Sequence, residues 1–103
     1  MSFTITHRTG DMEVGPSIDG LPALVDELDR DDPEHPDVAV SHESGWTLSA
    51  YPGGLIAWEN VEQDGEPRHM RHVARERLIE LFTEVALGHL ETVEREAWAA
   101  GYP

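Results

Sequence analysis

The hairpin predicted at residues 46–60 limits the choice of fold more than any other part of the chain. Residues 46–51, WTLSAY, and residues 55–60, LIAWEN, are short runs rich in aromatic and aliphatic side chains. A Pro-Gly-Gly turn at residues 52–54 separates them, and this arrangement is typical of a β-hairpin. We therefore expect an antiparallel meander over residues 38–73, with the rest of the chain covering one of its faces.

The length of the turn decides which side chains share a face. A three-residue loop pairs Tyr51 with Leu55 and Leu48 with Trp58, and opposite residues lie on the same face. A two-residue loop would pair Leu48 with Glu59 and divide the apolar side chains between both faces, so we favour the longer loop. One face then carries the following residues: Trp46, Leu48, Ala50, Ile56 and Trp58. The next strand is expected to place Met70 opposite Trp58.

Three further strands are predicted from alternating, β-rich segments at residues 3–7, 38–42 and 68–73. The first of these is expected at or near an edge of the sheet. The turn that follows it, residues 8–15, leaves room for a short extended piece at residues 12–14.

Two segments have helical periodicity. In residues 21–31 the apolar positions recur at helical spacing after a possible cap at Ser17 or Asp19, and Pro22 falls in the first turn. Residues 75–96 carry a wide apolar stripe and are expected to form one long helix. Its solvent side is expected to carry several glutamates: Glu76, Glu80, Glu84, Glu91 and Glu94.

One glycine interrupts the second helical segment. Gly88 costs a helix roughly 1 kcal/mol relative to alanine, and we explain it by a close approach of the helix to the sheet. Trp98 and Tyr102, beyond the helix, are expected to fold back as an aromatic anchor for the chain end. The sequence as a whole predicts a single α+β domain over residues 1–103, with an antiparallel four- to five-stranded meander and two helices packed on one face.

The charge balance points to a class of partner. The 103 residues carry 21 acidic and seven basic side chains, a formal net charge of −14, and every basic residue is arginine, a bias typical of bacterial genomes rich in GC. Such a surface repels phosphate backbones, so we expect no nucleic-acid binding, whereas a basic protein would be steered toward it. The charge would also serve solubility alone.

The sequence lacks the motifs of several kinds of binding site and active site. The acidic stretch at residues 29–37 has prolines and no glycine, unlike a calcium loop. His69 and His72 are three apart on a predicted strand and would point to opposite faces, so they cannot share a metal ion. We see no nucleophile elbow, phosphate loop or cofactor motif, and expect no catalytic residues, no cofactor and no metal. With no cysteine, no signal peptide and no apolar run near the ~20 residues of a membrane span, we expect a cytoplasmic protein without membrane contact.

The face of the sheet opposite the helices is the predicted interaction surface. Its expected mixture of Tyr, Leu, His and Arg side chains is richer than solvation requires. Glu59 lies in a strand beside Trp58, but its parity places it on this polar face. Together with the acidic turns, the candidate partner-binding residues are Asp29, Asp31, Asp32, Glu34, Tyr51, Glu59, Glu62, Asp64, Glu66, His69 and Arg71.

The C-terminal third of the chain carries a resemblance to a known family. Val73, the segment 75–78, Gly88, Val93 and Trp98 resemble the small immunity proteins of bacterial polymorphic toxin systems, in which a β-meander precedes a long helix with an internal glycine. The resemblance implies a non-enzymatic protein that neutralises a toxin, often a basic nuclease. It carries over no binding motif residue by residue.

Three functions follow as hypotheses. The first is an immunity-like module that binds a basic protein such as a toxin through its acidic groups. The second is a structural or regulatory domain that forms a homodimer through the open sheet face. The third, an enzyme or small-ligand binder, would need a pocket between the sheet and a helix.

Overall fold

The computed structural model describes residues 3–15, 17–29, 37–60 and 66–101, which form one antiparallel sheet and three α-helices. The strands are β1 (Phe3–Thr6), β2 (Met12–Val14), β3 (Val38–His42), β4 (Trp46–Tyr51), β5 (Leu55–Asn60), β6 (Arg68–Met70) and β7 (Ala99–Ala100). The helices are α1 (Leu21–Asp26), α2 (Arg75–Ala86) and α3 (Leu90–Glu94), with 3-10 turns at Ile18–Gly20 and Glu27–Asp29. The predicted α+β class is confirmed.

The sheet has seven strands, so the predicted four to five was too few. Their order is β2-β1-β3-β4-β5-β6-β7, and neighbours are antiparallel. One added strand, β2, is the extended piece that the sequence left open, and it makes β1 an inner strand. The other, β7, consists of two alanines, a residue depleted in strands, so tertiary contacts and not propensity explain it. Gly101 helps to hold it there, because its N–H donates to the Pro67 carbonyl at 2.7 Å.

The hairpin is confirmed residue by residue. Tyr51 lies opposite Leu55 and Leu48 lies opposite Trp58, as the three-residue loop requires. Trp58 is fully buried, and Trp46 stacks on it with ring centroids 4.8 Å apart. The apolar face of the hairpin is therefore the face that packs in the core.

The register of β6 differs from the prediction. Met70 lies opposite Ile56, and Arg68 takes the expected place opposite Trp58. The shift is two residues, which preserves the side-chain parity, so Met70 still packs against the core. The strand also ends at Met70 instead of continuing to residue 73, because His72 adopts a left-handed conformation with φ of 61°.

The first helix begins as predicted and is shorter. Pro22 occupies its first turn, and the Ser17 hydroxyl accepts a hydrogen bond from the Asp19 N–H at 3.2 Å, which caps the 3-10 turn before the helix. The α-helix ends at Asp26 and continues as a 3-10 turn to Asp29. The last two residues of the predicted helix lie outside the described residues.

The C-terminal helix is two helices, so the prediction of one helix over residues 75–96 was wrong. Gly88 has φ of +80°, its N–H donates to the Val85 carbonyl at 3.0 Å, and the His89 N–H donates to the Glu84 carbonyl at 2.8 Å. These two bonds form a Schellman motif, which ends α2. The glycine is thus explained by the left-handed conformation of a helix end and not by a close approach to the sheet.

All three helices contribute to one core on the same face of the sheet, as predicted for the helical layer. The helical residues of this core are Leu21, Leu24, Val25, Leu78, Leu81, Phe82, Val85, Ala86 and Val93. Trp98 packs against it, lies 6.2 Å from the Trp58 ring, and donates from Nε1 to the Val93 carbonyl at 2.8 Å. The predicted aromatic anchor is therefore present at Trp98, while Tyr102 lies outside the described residues. No helix in the described part of the chain is long and apolar enough to cross a membrane.

Candidate functional site

The helices leave the second face of the sheet uncovered in the part of the chain that the structure describes. We call this surface the open face. Strand parity assigns to it Thr4, Thr6, Met12, Val14, Ala39, Ser41, Thr47, Ser49, Tyr51, Leu55, Ala57, Glu59, His69 and Ala99. None of these residues belongs to the core cluster, which takes its strand residues from the opposite parity.

Small side chains occupy the centre of the open face, and larger ones surround them. Ala57 is only 2% exposed, and Ala39 and Thr47 are also buried, although the helices of the described residues pack on the opposite face. Tyr51 and Leu55 are half-buried. The centre is thus shallow and closely packed, and side chains at its margin project furthest.

Two carboxylates accompany Tyr51 on this surface. Asp37 directly precedes Val38, which pairs with Ala50, so Asp37 enters the sheet next to Tyr51. Burial raises the pKa of the Tyr51 hydroxyl above its ordinary value, and the negative charges of Asp37 and Glu59 raise it further. Asp37 is next to Tyr51 in the register, and Glu59 lies opposite Thr47, four positions along the hairpin, so their charges give this part of the open face a negative potential.

A second corner of the open face is tied to the chain end. His69 pairs with Ala57 on one side and Ala99 on the other, and its Nδ1 donates to the Gly101 carbonyl at 2.7 Å. This bond fixes the ring and holds β7 in place. Arg71, predicted to follow on the same strand, lies beyond the end of β6 and is exposed.

The acidic candidates do not all gather on the open face. Asp29 binds Arg75 at the start of α2, as does Asp26, whose Oδ1 lies 2.5 Å from an Arg75 nitrogen. Asp29 therefore ties the end of the first helical segment to the start of α2, and it lines the cleft between these elements and the β4–β5 turn together with Tyr51. Glu66 is exposed. The remaining candidates lie outside the described residues: Asp31, Asp32, Glu34, Glu62 and Asp64.

Two features of the surface were missed in selecting candidates from the sequence. Asp37 was treated as part of an acidic turn, although its position one residue before a strand assigned it to the face of Ala39. Met12 and Val14 were seen only as an optional extended piece. Their spacing of two, which places both on one face, was the available signal.

The hypothesis of a small-ligand site requires a pocket between the sheet and a helix. A cleft of about 140 Å³ lies between the end of the first helical segment, the β4–β5 turn and the start of α2, and it is smaller than the ~300–1,000 Å³ typical of small-molecule pockets. Larger surface depressions of about 510, 340 and 310 Å³ lie at residues 88–92, beside His69 and Arg71, and beside His7 and Glu27. Within residues 3–15, 17–29, 37–60 and 66–101, no group of three or more His, Cys, Asp or Glu side chains is arranged to hold a metal ion. Since His72 lies beyond β6, the strand geometry assumed for the pair His69 and His72 was wrong.

The geometry of the open face is the main guide to function, because similarity to known proteins adds nothing. Comparison with protein-family models, with curated proteins and with solved structures finds no match to this chain.

Proposed function

We propose that the protein is a non-enzymatic binding module that attaches to a basic partner protein through its open face, in the manner of an immunity protein that neutralises a toxin. The observation that carries the proposal is the half-buried Tyr51 on a sheet face that the described helices leave uncovered, with Asp37 next to it in the register and Glu59 on the same face opposite Thr47. A tyrosine that shares a sheet face with carboxylates suits an arginine or lysine side chain, which would stack on the ring and pair with an acid.

The charge of the whole chain supports the same partner. At a formal charge of −14, the protein attracts a basic surface over distances of about a Debye length, ~8 Å at physiological salt. Complementary charge mainly raises the association rate and excludes wrong partners. A basic nuclease is one class of toxin with a suitable surface, since it must itself bind a phosphate backbone.

A homodimer through the open face is the competing arrangement. It would bring two surfaces together that each carry Asp37 and Glu59, on chains of net charge −14. Like charges at an interface oppose association, so the charge favours a basic partner over a second copy. Sedimentation velocity at high protein concentration is expected to show a monomer, and a dimer that the substitution Tyr51→Ala dissolves would favour the competing arrangement.

The proposal is tested with the protein encoded by the adjacent gene. If that protein is toxic when expressed alone, co-expression of the present chain should restore growth. Calorimetry should then show binding that weakens as salt rises. Glu59→Gln and Tyr51→Ala are each expected to weaken the complex by about tenfold, the value of a charge-assisted contact of ~1.4 kcal/mol.

Glu76→Gln is the matched control, because Glu76 is exposed at the start of α2 on the helical side of the sheet. It makes the same change of net charge as Glu59→Gln and should leave the affinity nearly unchanged. Equal loss of affinity in both variants would show a general charge effect and not a site on the open face. Absence of both growth rescue and binding would refute the proposal for that partner.

A further inference from the structure

The strand at one end of the sheet carries an unusual concentration of exposed apolar side chains. Met12 is 65% exposed, Val14 is 79% exposed and Ile18, just after the strand, is 38% exposed. Among the described residues, the other large apolar side chain in this exposed class is Leu87. Three of the four therefore lie within seven positions, at strand β2 and the turn that follows it.

One side of β2 has no partner strand among the residues that the structure describes. Its partner β1 lies on the other side, because β2 is at one end of the strand order. The His7 N–H donates to the Asp11 carbonyl, and the Gly15 N–H donates to the Phe3 carbonyl, both at 2.8 Å. In an antiparallel ladder these bonds recur at every second residue, so positions 11, 13 and 15 turn their backbone groups toward β1. The N–H and C=O groups of Met12 and Val14 consequently point away from the sheet.

Interactions on the other side of the strand hold this edge in position. Glu13, which pairs with Ile5, accepts a hydrogen bond from His7 Nε2 at 2.7 Å. The other ring nitrogen, His7 Nδ1, donates to Glu27 at 2.6 Å. Sheet edges are commonly protected by lysine, proline or a bulge. In β2 the two residues whose backbone groups point outward, Met12 and Val14, have apolar side chains. The charged residue between them, Glu13, contacts His7 on the opposite face.

We infer that β2 is a docking edge for an extended, basic segment of a partner protein, which would add to the sheet as an eighth strand. The inference rests on the proposed function and names a second point of attachment for the same class of partner. Residues 9–19 contain Asp11, Glu13 and Asp19 and no basic side chain. Glu13 already pairs with His7, so Asp11, Asp19 and the formal net charge of −14 make the edge complementary to lysine or arginine. A second copy of the chain would bring these carboxylates face to face.

The geometry also specifies the pattern of the incoming segment. Residues that lie beside Met12 and Val14 on the open face would be apolar, and the alternate residues, beside Glu13, would be basic. A capped synthetic peptide of alternating lysine and valine is therefore the probe. The matched control peptides are one of alternating glutamate and valine, and a lysine–valine peptide with N-methyl groups on the edge that would pair with β2.

Nuclear magnetic resonance of the full chain gives the direct test. The lysine–valine peptide should shift the amide signals of Met12 and Val14 and slow hydrogen exchange at those two amides, since both would become donors. The Glu13 amide already faces β1, so its exchange should change little. The N-methylated peptide should lose these effects, and the glutamate–valine peptide should bind about tenfold more weakly or worse.

Two variants of the chain complete the test. Val14→Pro removes the outward N–H of residue 14 and leaves the ladder to β1 intact, whereas Val14→Lys keeps the backbone and adds a repelling charge. Both should abolish the peptide effect, while Leu87→Ala, at another exposed apolar site, should not. If Val14→Pro does not fold, Val14→Lys and the N-methylated peptide still decide the question. Shifts at other strands only, or no slowing at Met12 and Val14, would overturn the inference.

The outcomes separate this inference from the proposed function. A partner that loses affinity with Glu59→Gln but binds the Val14 variants normally would uphold the open face and refute the docking edge. Peptide addition at β2 without any basic protein partner would uphold the edge and leave the proposed function refuted. A dimer that Val14→Lys dissociates would show that the edge accepts a second copy, which overturns the choice of a basic segment.

Discussion

Arg68 and Glu94 form a two-point ion pair across a separation of 26 positions in the chain. Arg68 Nη1 donates to Glu94 Oε2 at 2.8 Å, and Nη2 donates to Oε1 at 2.6 Å. The same carboxylate accepts the indole N–H of Trp58 at 2.8 Å, and the Arg68 guanidinium lies 5.8 Å from the Trp46 ring centroid. One glutamate on α3 thus joins β5, β6 and the stacked tryptophans.

Removing the Glu94 carboxylate should destabilise the fold, because Trp58 is fully buried and its N–H would lose its acceptor. We expect Glu94→Ala to lower the free energy of unfolding by about 2 kcal/mol, a value typical of an unsatisfied buried donor combined with a lost charged bond. Glu94→Gln keeps an acceptor oxygen for the indole and should cost about half as much. Urea unfolding followed by tryptophan fluorescence measures both.

Glu91→Gln is the control for that series, because Glu91 lies on the same helix and is exposed. Its effect should stay within about 0.5 kcal/mol, as for most surface changes. If Glu94→Ala lowers the free energy of unfolding no more than Glu91→Gln does, the contacts of Glu94 with Arg68 and Trp58 do not stabilise the tryptophan stack.

The central hairpin was predictable because its two signals are local and agree with each other. The Pro-Gly-Gly turn and the alternation around it admitted one loop length that gathered Leu48, Ala50, Ile56 and Trp58 on one face, and this register is observed. The pairing of β6 was not fixed in the same way. A shift of two residues leaves the parity unchanged, so hydrophobic pattern alone could not choose between Met70 and Arg68 as the partner of Trp58.

The position of Glu94 shows where helical periodicity fails. A continuous helix from residue 75 places Glu94 on the solvent side with Glu80 and Glu84, as we expected. The chain instead ends α2 at the Gly88 motif, and α3 starts with a new phase that turns Glu94 toward Arg68. The signal for this break was a glycine within an apolar stripe. Its unfavourable propensity is explained by the left-handed conformation at a helix end and not by a close approach to the sheet.

The candidate site was predictable in part, for a similar reason. Parity assigned Tyr51, Glu59 and His69 to the open face once the hairpin register was known. It could not assign Asp29, whose ion pair with Arg75 connects residues 46 positions apart in the chain. Pairing of charges over such distances depends on how the helices pack, and sequence spacing contains no information about it.

The contacts of Glu94 with Arg68 and Trp58 should also make the free energy of unfolding depend on pH in the acid range. Glu94 accepts hydrogen bonds from Arg68 and from the Trp58 indole, and these bonds hold the pKa of the Glu94 carboxyl below its ordinary value. A lowered pKa stabilises the fold at pH values above the unfolded pKa of roughly 4.3. This contribution should disappear as pH falls through the lower pKa of the folded state.

The acid dependence is measured as the difference in unfolding free energy between the natural chain and Glu94→Gln from neutral pH to pH ~3, a range that spans the carboxyl titration. The difference should be constant near neutrality and shrink in acid. A difference that stays constant over the whole range would contradict the lowered pKa.

The two glycines of the hairpin turn should differ in their tolerance of a side chain. Gly53 and Gly54 both have positive φ, 86° and 83°, so alanine at either costs about 1 kcal/mol in backbone strain. A Cβ on Gly54 would in addition lie 3.0 Å from the backbone N and O of Val73, whereas a Cβ on Gly53 would meet nothing within 4 Å. The Val73 N–H also donates to the Gly54 carbonyl at 2.9 Å, so the two segments cannot separate without losing that bond.

We therefore expect Gly54→Ala to cost at least about 1 kcal/mol more than Gly53→Ala, since backbone atoms move only with strain. Chemical unfolding of the two variants side by side makes the comparison, with Gly53→Ala as the control for strain. Equal losses of unfolding free energy in the two variants would show that the Val73 backbone moves aside without strain.

His7 should make stability depend on pH in the opposite direction to Glu94. Its hydrogen bond to Glu27 raises the pKa of the imidazole above its ordinary value, and the bond to Glu13 raises it further, against the opposing effect of burial. Only the protonated ring donates from both nitrogens, so the proton links β2 to the end of the first helical segment. Arg8 faces the same group, since its backbone N–H donates to Glu27 at 3.0 Å.

A raised pKa stabilises the fold fully at pH values below the unfolded histidine value of ~6.5, and this contribution is lost as pH rises through the higher pKa of the folded state. We expect His7→Gln to cost about 1 kcal/mol near pH 6, a modest value for a partly exposed ion pair, and less at alkaline pH. Titration of the His7 ring by nuclear magnetic resonance should give a pKa above the ordinary value, and Glu27→Gln should lower it more than Glu13→Gln. The control Glu76→Gln should leave it unchanged. An ordinary or lowered His7 pKa in the natural chain would show that the two carboxylates do not hold the proton.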